Sequence, residues 1–213
     1  MRGCKNVGRV LVCSFLLLLL RGLPVQGEPI VILYDSFESP VLGEDEGFSA
    51  QIDPPGWVRE TTGSEQLYTR IWNEGLGYFS TPYGSQVLAI WRYNTVTTTN
   101  ITDRLQPGVT YTLTFNAGNA RDNSTSSANT YKAEILAGTN VIAEVSAQTD
   151  TRDMSEQGMV SIQTDGDHPH LGEIIGVRFQ HAGGGWEWRT LIDNVLLVAE
   201  ETDEFQHTLF IGK

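Results

Sequence analysis

The sequence holds only two cysteines, Cys4 and Cys13, and both fall in a segment that reads as one removed on export. Without it the chain has none. That excludes thiol catalysis, thiolate metal sites and a disulfide scaffold together, although disulfides are the usual staple of exported domains. Long apolar runs are missing too. The longest, Val10 to Leu20, covers 11 residues, against roughly 20 for a membrane-spanning helix. It follows a basic stretch (Arg2, Lys5, Arg9) and precedes a small-residue site at Val25-Gln26-Gly27. Residues 1–27 therefore read as a signal peptide, with a secreted or periplasmic product beginning near Glu28.

Positive charge is the third scarcity. Lys and Arg number 14 against 26 Asp and Glu, a net charge of −12, and loss of the four basic residues before Glu28 takes it to −16. Such a surface repels nucleic acid and anionic membranes and draws in cations. No nucleophile elbow, P-loop, dinucleotide fingerprint or zinc-protease helix is present.

Helical periodicity is absent beyond residue 28. In its place are short β-branched and aromatic runs between Gly, Pro, Asn and Asp. Strands are expected at 30–38, 68–73, 86–92, 95–102, 109–117, 129–137, 140–147, 158–164, 172–181 and 188–198. Several alternate strictly, with Tyr111, Leu113 and Phe115 facing one way and Thr110, Thr112 and Thr114 the other. That is the pattern of half-buried antiparallel sheet. Two hairpins are expected, one turning at Ala137–Asn140 and one across the longer loop from Arg121 to Asn129. About ten strands without repeats or linkers make one all-β domain, an antiparallel jelly-roll β-sandwich over 28–198. Residues 199–213 read as an acidic tail, in which Thr208 to Ile211 has the makings of one added strand.

Acidic residues sit inside the first and last apolar runs, Leu33-Tyr34-Asp35-Ser36-Phe37-Glu38 and Leu191-Ile192-Asp193-Asn194-Val195. Burying a carboxylate is costly without a cationic partner. A cation shared by the two ends would offset that cost, and calcium suits hard oxygen ligands. Asp193 has two other readings: a general acid, with its pKa raised by an apolar setting, or a structural acceptor of backbone hydrogen bonds.

These runs, with Pro55-Gly56-Trp57, Pro82-Tyr83-Gly84-Ser85-Gln86-Val87-Leu88 and Tyr111 to Gly118, resemble the calcium-binding jelly-roll domains of carbohydrate-binding modules and PEP-CTERM-type exported proteins. They also resemble the Stig cyclases of hapalindole-type alkaloid biosynthesis. The resemblance spans residues 30–198. It implies calcium ligands at Glu38 and Asp193, with Asp35 adding an oxygen where Asn is frequent. For a Stig cyclase it further implies a homodimer, and acid-triggered rearrangement and cyclisation of an indole–isoprenoid, with Asp193 as the acid.

Five tryptophans are a high density for this length. Trp72, Trp91 with Tyr93, and the pair Trp186 and Trp188 after Gly183-Gly184-Gly185 are candidate stacking surfaces for a sugar or another flat apolar ligand; core packing is the alternative. Asp165-Gly166-Asp167-His168-Pro169-His170 has side chains suited to zinc or copper, and also the composition of a surface turn. Glu44-Asp45-Glu46 is a second acidic loop with calcium-ligand chemistry. The leading expectation is a non-catalytic, calcium-stabilised domain binding a carbohydrate or flat apolar ligand. A Stig-type cyclase is the alternative, and a structural envelope protein the third.

Overall fold

The structure, a computed structural model, describes residues 28–42, 54–60, 69–74, 77, 79–91, 94–120, 128–183 and 189–202. The described residues form eleven strands: β1 Ile30–Asp35, β2 Trp57–Glu60, β3 Arg70–Asn73, β4 Gln86–Trp91, β5 Thr95–Thr98, β6 Val109–Ala120, β7 Asn129–Ala137, β8 Asn140–Thr149, β9 Glu156–Gln163, β10 Ile175–Gly183 and β11 Arg189–Glu201. They make two antiparallel sheets. One runs β3-β4-β11-β6-β9 with β1 also on β11, and the other runs β2-β5-β10-β7-β8. The β-sandwich expected from the alternation is thus present.

Ten of the eleven strands overlap the expected segments. Strand β2 was not anticipated, because four residues after Pro54-Pro55-Gly56 are too few to show a period. The expected hairpin at Ala137–Asn140 forms between β7 and β8, with Gly138 taking the positive φ of 58° the turn needs. The second expected hairpin does not form. Strand β6 pairs with β11 and β9, whereas β7 pairs with β10 and β8 in the other sheet. Both strands bury one face in the same core, and that pattern cannot distinguish a hairpin from a corner between sheets. The expected strand at Thr208 to Ile211, the signal peptide and the Glu44–Glu46 loop lie outside the described residues. No helix among the described residues is long and apolar enough to cross a membrane.

The inner faces of both sheets enclose the main core, which includes Leu88, Ile90, Leu113, Phe115, Ile135, Val177, Phe179 and Ile192. Tilted and edge-to-face aromatic contacts run through it from Phe37 to Trp57 (5.7 Å), Trp57 to Phe179 (5.9 Å), Phe179 to Phe115 (5.0 Å) and Phe115 to Tyr131 (5.5 Å). A second, smaller cluster covers the opposite face of the six-stranded sheet, with Trp72, Phe79, Val87, Ala89, Ala120, Met154 and Leu191. Gly118 makes this closure possible: a Cβ there would stand 2.4 Å from Met154 Sδ.

Strand β11 organises the six-stranded sheet. Along one side it pairs with β6; along the other, its first part pairs with β4 and its second with β1. The first and last runs of the domain are therefore direct neighbours. The change of partner falls at Asp193 and Asn194, between the Ile192–Leu88 pair and the Val195–Asp35 pair. There the register against β6 shifts and Asn194 adopts φ 48°. Asn is one of the few residues that tolerate this left-handed conformation.

Candidate functional site at the β1–β4 break

Four of the motifs noted above meet at this break. Asp35, at the end of β1, accepts the Phe37 N–H through Oδ1 at 2.8 Å and the Trp57 Nε1–H through Oδ2 at 2.7 Å. The first bond closes an Asx turn that carries Phe37 at φ 56°. Glu38 then reaches the loop before β4: its Oε1 accepts the N–H groups of Ser85 and Gln86, both at 2.8 Å, and its Oε2 accepts the Ser85 hydroxyl at 3.2 Å. Gly84, with φ 143°, leaves room for the carboxylate, since a Cβ there would sit 2.2 Å from Oε1. Gln86 closes the loop by donating from Nε2 to the Phe37 and Pro40 carbonyls.

Asp193 completes the group. Two residues beyond Leu191, it lies on the same face of β11, and it is 0 % exposed. Its Oδ1 accepts the Asn194 N–H at 2.6 Å, and its Oδ2 accepts the Thr81 hydroxyl at 2.5 Å. Asn194 donates to Asn116 Oδ1 across the sheet, and Asn116 donates to the Met154 carbonyl. Burial pushes the Asp193 carboxyl up to about 6, the two hydrogen bonds hold it back, and the charges of Glu38 and Asp35 push further in the same direction. The arrangement is a buried acid kept protonated at mildly acidic pH by its surroundings.

The remaining expected site residues are dispersed. Trp72 is 0 % and Trp91 8 % exposed, and neither offers an open face. The Arg189 guanidinium stands 4.4 Å from the Trp72 ring centre and 4.2 Å from that of Trp91, so the two indoles clamp a cation of the chain itself. Tyr93, Trp186 and Trp188 lie outside the described residues. In the histidine turn, His170 Nδ1 meets Glu173 Oε1 at 3.1 Å while His168 Nδ1 accepts the His170 N–H. Among the described residues no three Asp, Glu, His or Cys side chains are gathered as a metal-holding group. The oxygens of Asp35, Glu38 and Asp193 have the hard chemistry calcium requires, yet each already accepts a protein hydrogen bond. Thr81 escaped the sequence reading, and Asn116, inside the Tyr111 to Gly118 motif, was given no site role there. Thr81 stands directly before the Pro82–Leu88 motif, but nothing local marks its partner 112 residues away.

The HpiC1-like family model, described as HpiC1 cyclase, matches residues 28–198. The chain belongs to this family. Among solved structures it is similar to the Stig cyclase Fisc from Fischerella sp. TAU in complex with (3Z)-3-(1-methyl-2-pyrrolidinylidene)-3H-indole, at 20 % identity and TM-score 0.65 over 82 % of this chain and 100 % of that one. A cyclase from the same source in complex with 4-(1H-indol-3-yl)butan-2-one is similar at 20 % identity and TM-score 0.65, over 82 % and 99 % of the two chains. At these identities the likeness establishes the shared fold. A carbohydrate-binding module of family 4 is similar at 18 % identity and TM-score 0.43, over 68 % and 94 %, too loosely to carry an argument. No curated protein matches the chain.

One further buried group bears on the pH behaviour of this HpiC1-like domain. His181, on the inner face of β10, places Nδ1 3.0 Å from the Thr190 hydroxyl, and burial lowers its pKa to about 4. A depressed histidine favours folding above its unfolded value near 6.5 and loses that contribution as pH falls towards 4. The raised Asp193 does the opposite: its contribution is present below about 3.8 and lost as pH rises through 6. Each shift corresponds to about 3 kcal/mol across the window, so the two slopes oppose one another between pH 4 and 6.5. Thermal melts of the metal-free protein over that range should show little dependence from this pair. Asp193→Asn should expose the histidine slope, with the melting temperature dropping by roughly 6–12 °C on acidification. An unchanged profile in the variant would mean that Asp193 titrates normally.

Proposed function

We propose that the protein is a Stig-type cyclase, in which Asp193 is the general acid for rearrangement and cyclisation of an indole–isoprenoid substrate. The observation that carries this reading is one buried carboxyl group, raised to about 6, at the convergence of the family's motifs. Membership of the HpiC1-like family supports it, as do the indole-bearing ligands of the similar cyclases. A protonated Asp193, once its now fully buried carboxyl is opened to the substrate, donates its proton. The carboxylate left behind is stabilised by the Thr81 hydroxyl and the Asn194 N–H, donors already aimed at it, and the proton lost from the cyclised cation restores the acid. Exported location and homodimerisation accompany this proposal as expected features of such a cyclase. Incubation with an indole–isonitrile isoprenoid tests it: rearranged, cyclised isomers of the substrate are expected, and recovery of substrate alone would overturn it.

A carbohydrate-binding role loses its basis at Trp72 and Trp91, whose faces are occupied by Arg189.

We also propose calcium as a stabilising ion. Asp35 and Glu38, both partly exposed, would hold it through their remaining lone pairs, and it would offset the negative charge crowded around β1. A site of about 10 µM affinity adds about 2.7 kcal/mol at 1 mM calcium, a rise of roughly 5–10 °C in melting temperature. Melts in EDTA and in calcium, with magnesium as control, check this. The rise should vanish in Glu38→Gln, and an equal melting temperature in EDTA and calcium would refute the proposal.

A further inference from the structure

The described residues form a second feature at the opposite end of β11, which the proposed chemistry does not use. A pocket of about 420 Å³ opens between the start of β1, the start of β6 and the end of β11, within the range of small-molecule sites. Tyr111 pairs with Ala199 here, whereas Asn116 pairs with Asp193 at the acid. Six residues of strand, about 20 Å, separate the two. The walls are apolar, with Ile32, Val109, Tyr111 and Ala199.

The mouth is rigid. Segment 103–108 is tied down by Gln106 N–H donating to the Tyr111 hydroxyl (2.8 Å), Leu105 N–H to the Glu173 carbonyl (2.9 Å) and the Arg104 guanidinium to the Gly172 carbonyl (2.6 Å). Thr202 fixes the other lip by donating its N–H and its hydroxyl to the Gly108 carbonyl, both at 2.8 Å. A preformed cavity of this kind loses little ordering entropy on binding. Its charge is directional. Asp103 and Glu201 line it, and neither has an ion-pair partner among the described residues, while Arg104, the lining cation, is turned to the Gly172 carbonyl. The chain as a whole carries −12, which concentrates cations at such an opening.

We propose that this pocket binds a small organic cation, a protonated amine on a flat or branched apolar body, with the body against Ile30, Ile32 and Ala199 and the ammonium between Asp103 and Glu201. The site is independent of Asp193.

The test is a titration of the full ¹⁵N-labelled chain with phenethylamine, followed by amide chemical shifts, alongside its neutral and anionic counterparts 2-phenylethanol and 3-phenylpropanoate. Phenethylamine should give saturable shifts confined to the residues around Val109, Tyr111 and Ala199, with 2-phenylethanol weaker and 3-phenylpropanoate inert. Ile30 is exposed at the mouth, so Ile30→Arg should leave the fold intact and abolish binding. Glu201→Gln should weaken it roughly 2- to 5-fold, as for loss of one solvent-facing ion pair. Absence of saturable shifts at millimolar amine overturns the site. Equal binding of the three probes, or full binding by Ile30→Arg, overturns its selectivity for cations. Turnover in the Asp193 assay bears on neither result.

Discussion

Replacing Asp193 by Asn is expected to lower turnover of an indole–isoprenoid by 10²- to 10⁴-fold, the usual contribution of a positioned general acid. The same variant should be more stable than the parent at pH 7. At that pH the parent holds an ionised, fully buried carboxylate whose pKa has been raised to about 6. Keeping it charged costs about 3 kcal/mol relative to water, and a neutral amide removes that cost. The melting temperature of Asp193→Asn should therefore rise by several degrees at neutral pH while activity disappears. Asp193→Glu keeps the acid but not its geometry, since a longer side chain displaces the carboxyl from Thr81 and the Asn194 N–H. It should retain the pH dependence at a much reduced rate. In the parent, activity should fall as pH rises through about 6, because only the protonated acid can donate. Product formation by Asp193→Asn at the parental rate would remove the general-acid role and leave Asp193 as a structural residue.

Truncating Phe179 to Ala is expected to produce the largest loss of stability, about 3–5 kcal/mol, or roughly 8–16 °C in melting temperature. Phe179 is fully buried at the centre of the sandwich, on β10 of one sheet, and meets Phe115 of the other edge-to-face at 5.0 Å. Neighbours on opposite sheets cannot collapse into the space it leaves, so a cavity adds to the lost apolar burial. The consequence reaches the site. Phe179 packs on Trp57, Trp57 holds Asp35 through its indole N–H, and Phe37 packs against the same indole. Phe179→Ala should therefore reduce turnover as well as stability, whereas Phe179→Leu, which refills most of the volume, should cost less in both. Denaturant melts with turnover measured well below the transition separate the two effects. A Phe179→Ala protein with parental activity would show that the aromatic row does not support the acid.

How much of this was legible beforehand can be traced residue by residue. Strict alternation around Tyr111, Leu113 and Phe115 announced a half-buried strand because side chains in a strand alternate faces whatever the partner. The acids set into the first and last apolar runs of the domain pointed to a common location, and β1 and β11 do pair there. These signals are local, carried by residues within a few positions of each other. Three things were not local. The placement of β6 and β7 in different sheets depends on which edges are free once β11 and β10 are seated. The burial of Trp72 and Trp91 depends on Arg189, about a hundred residues away in the chain, lying between them. The state of Asp193 depends on its burial, on Thr81 across a separation of 112 residues, and on the charges of Glu38 and Asp35. Local patterning in the chain was enough for ten of the eleven strands, for the alternating faces of several, and for the acid that would be expensive to bury. What surrounds that acid came only with the folded arrangement, because desolvation and charge proximity are properties of distance in space.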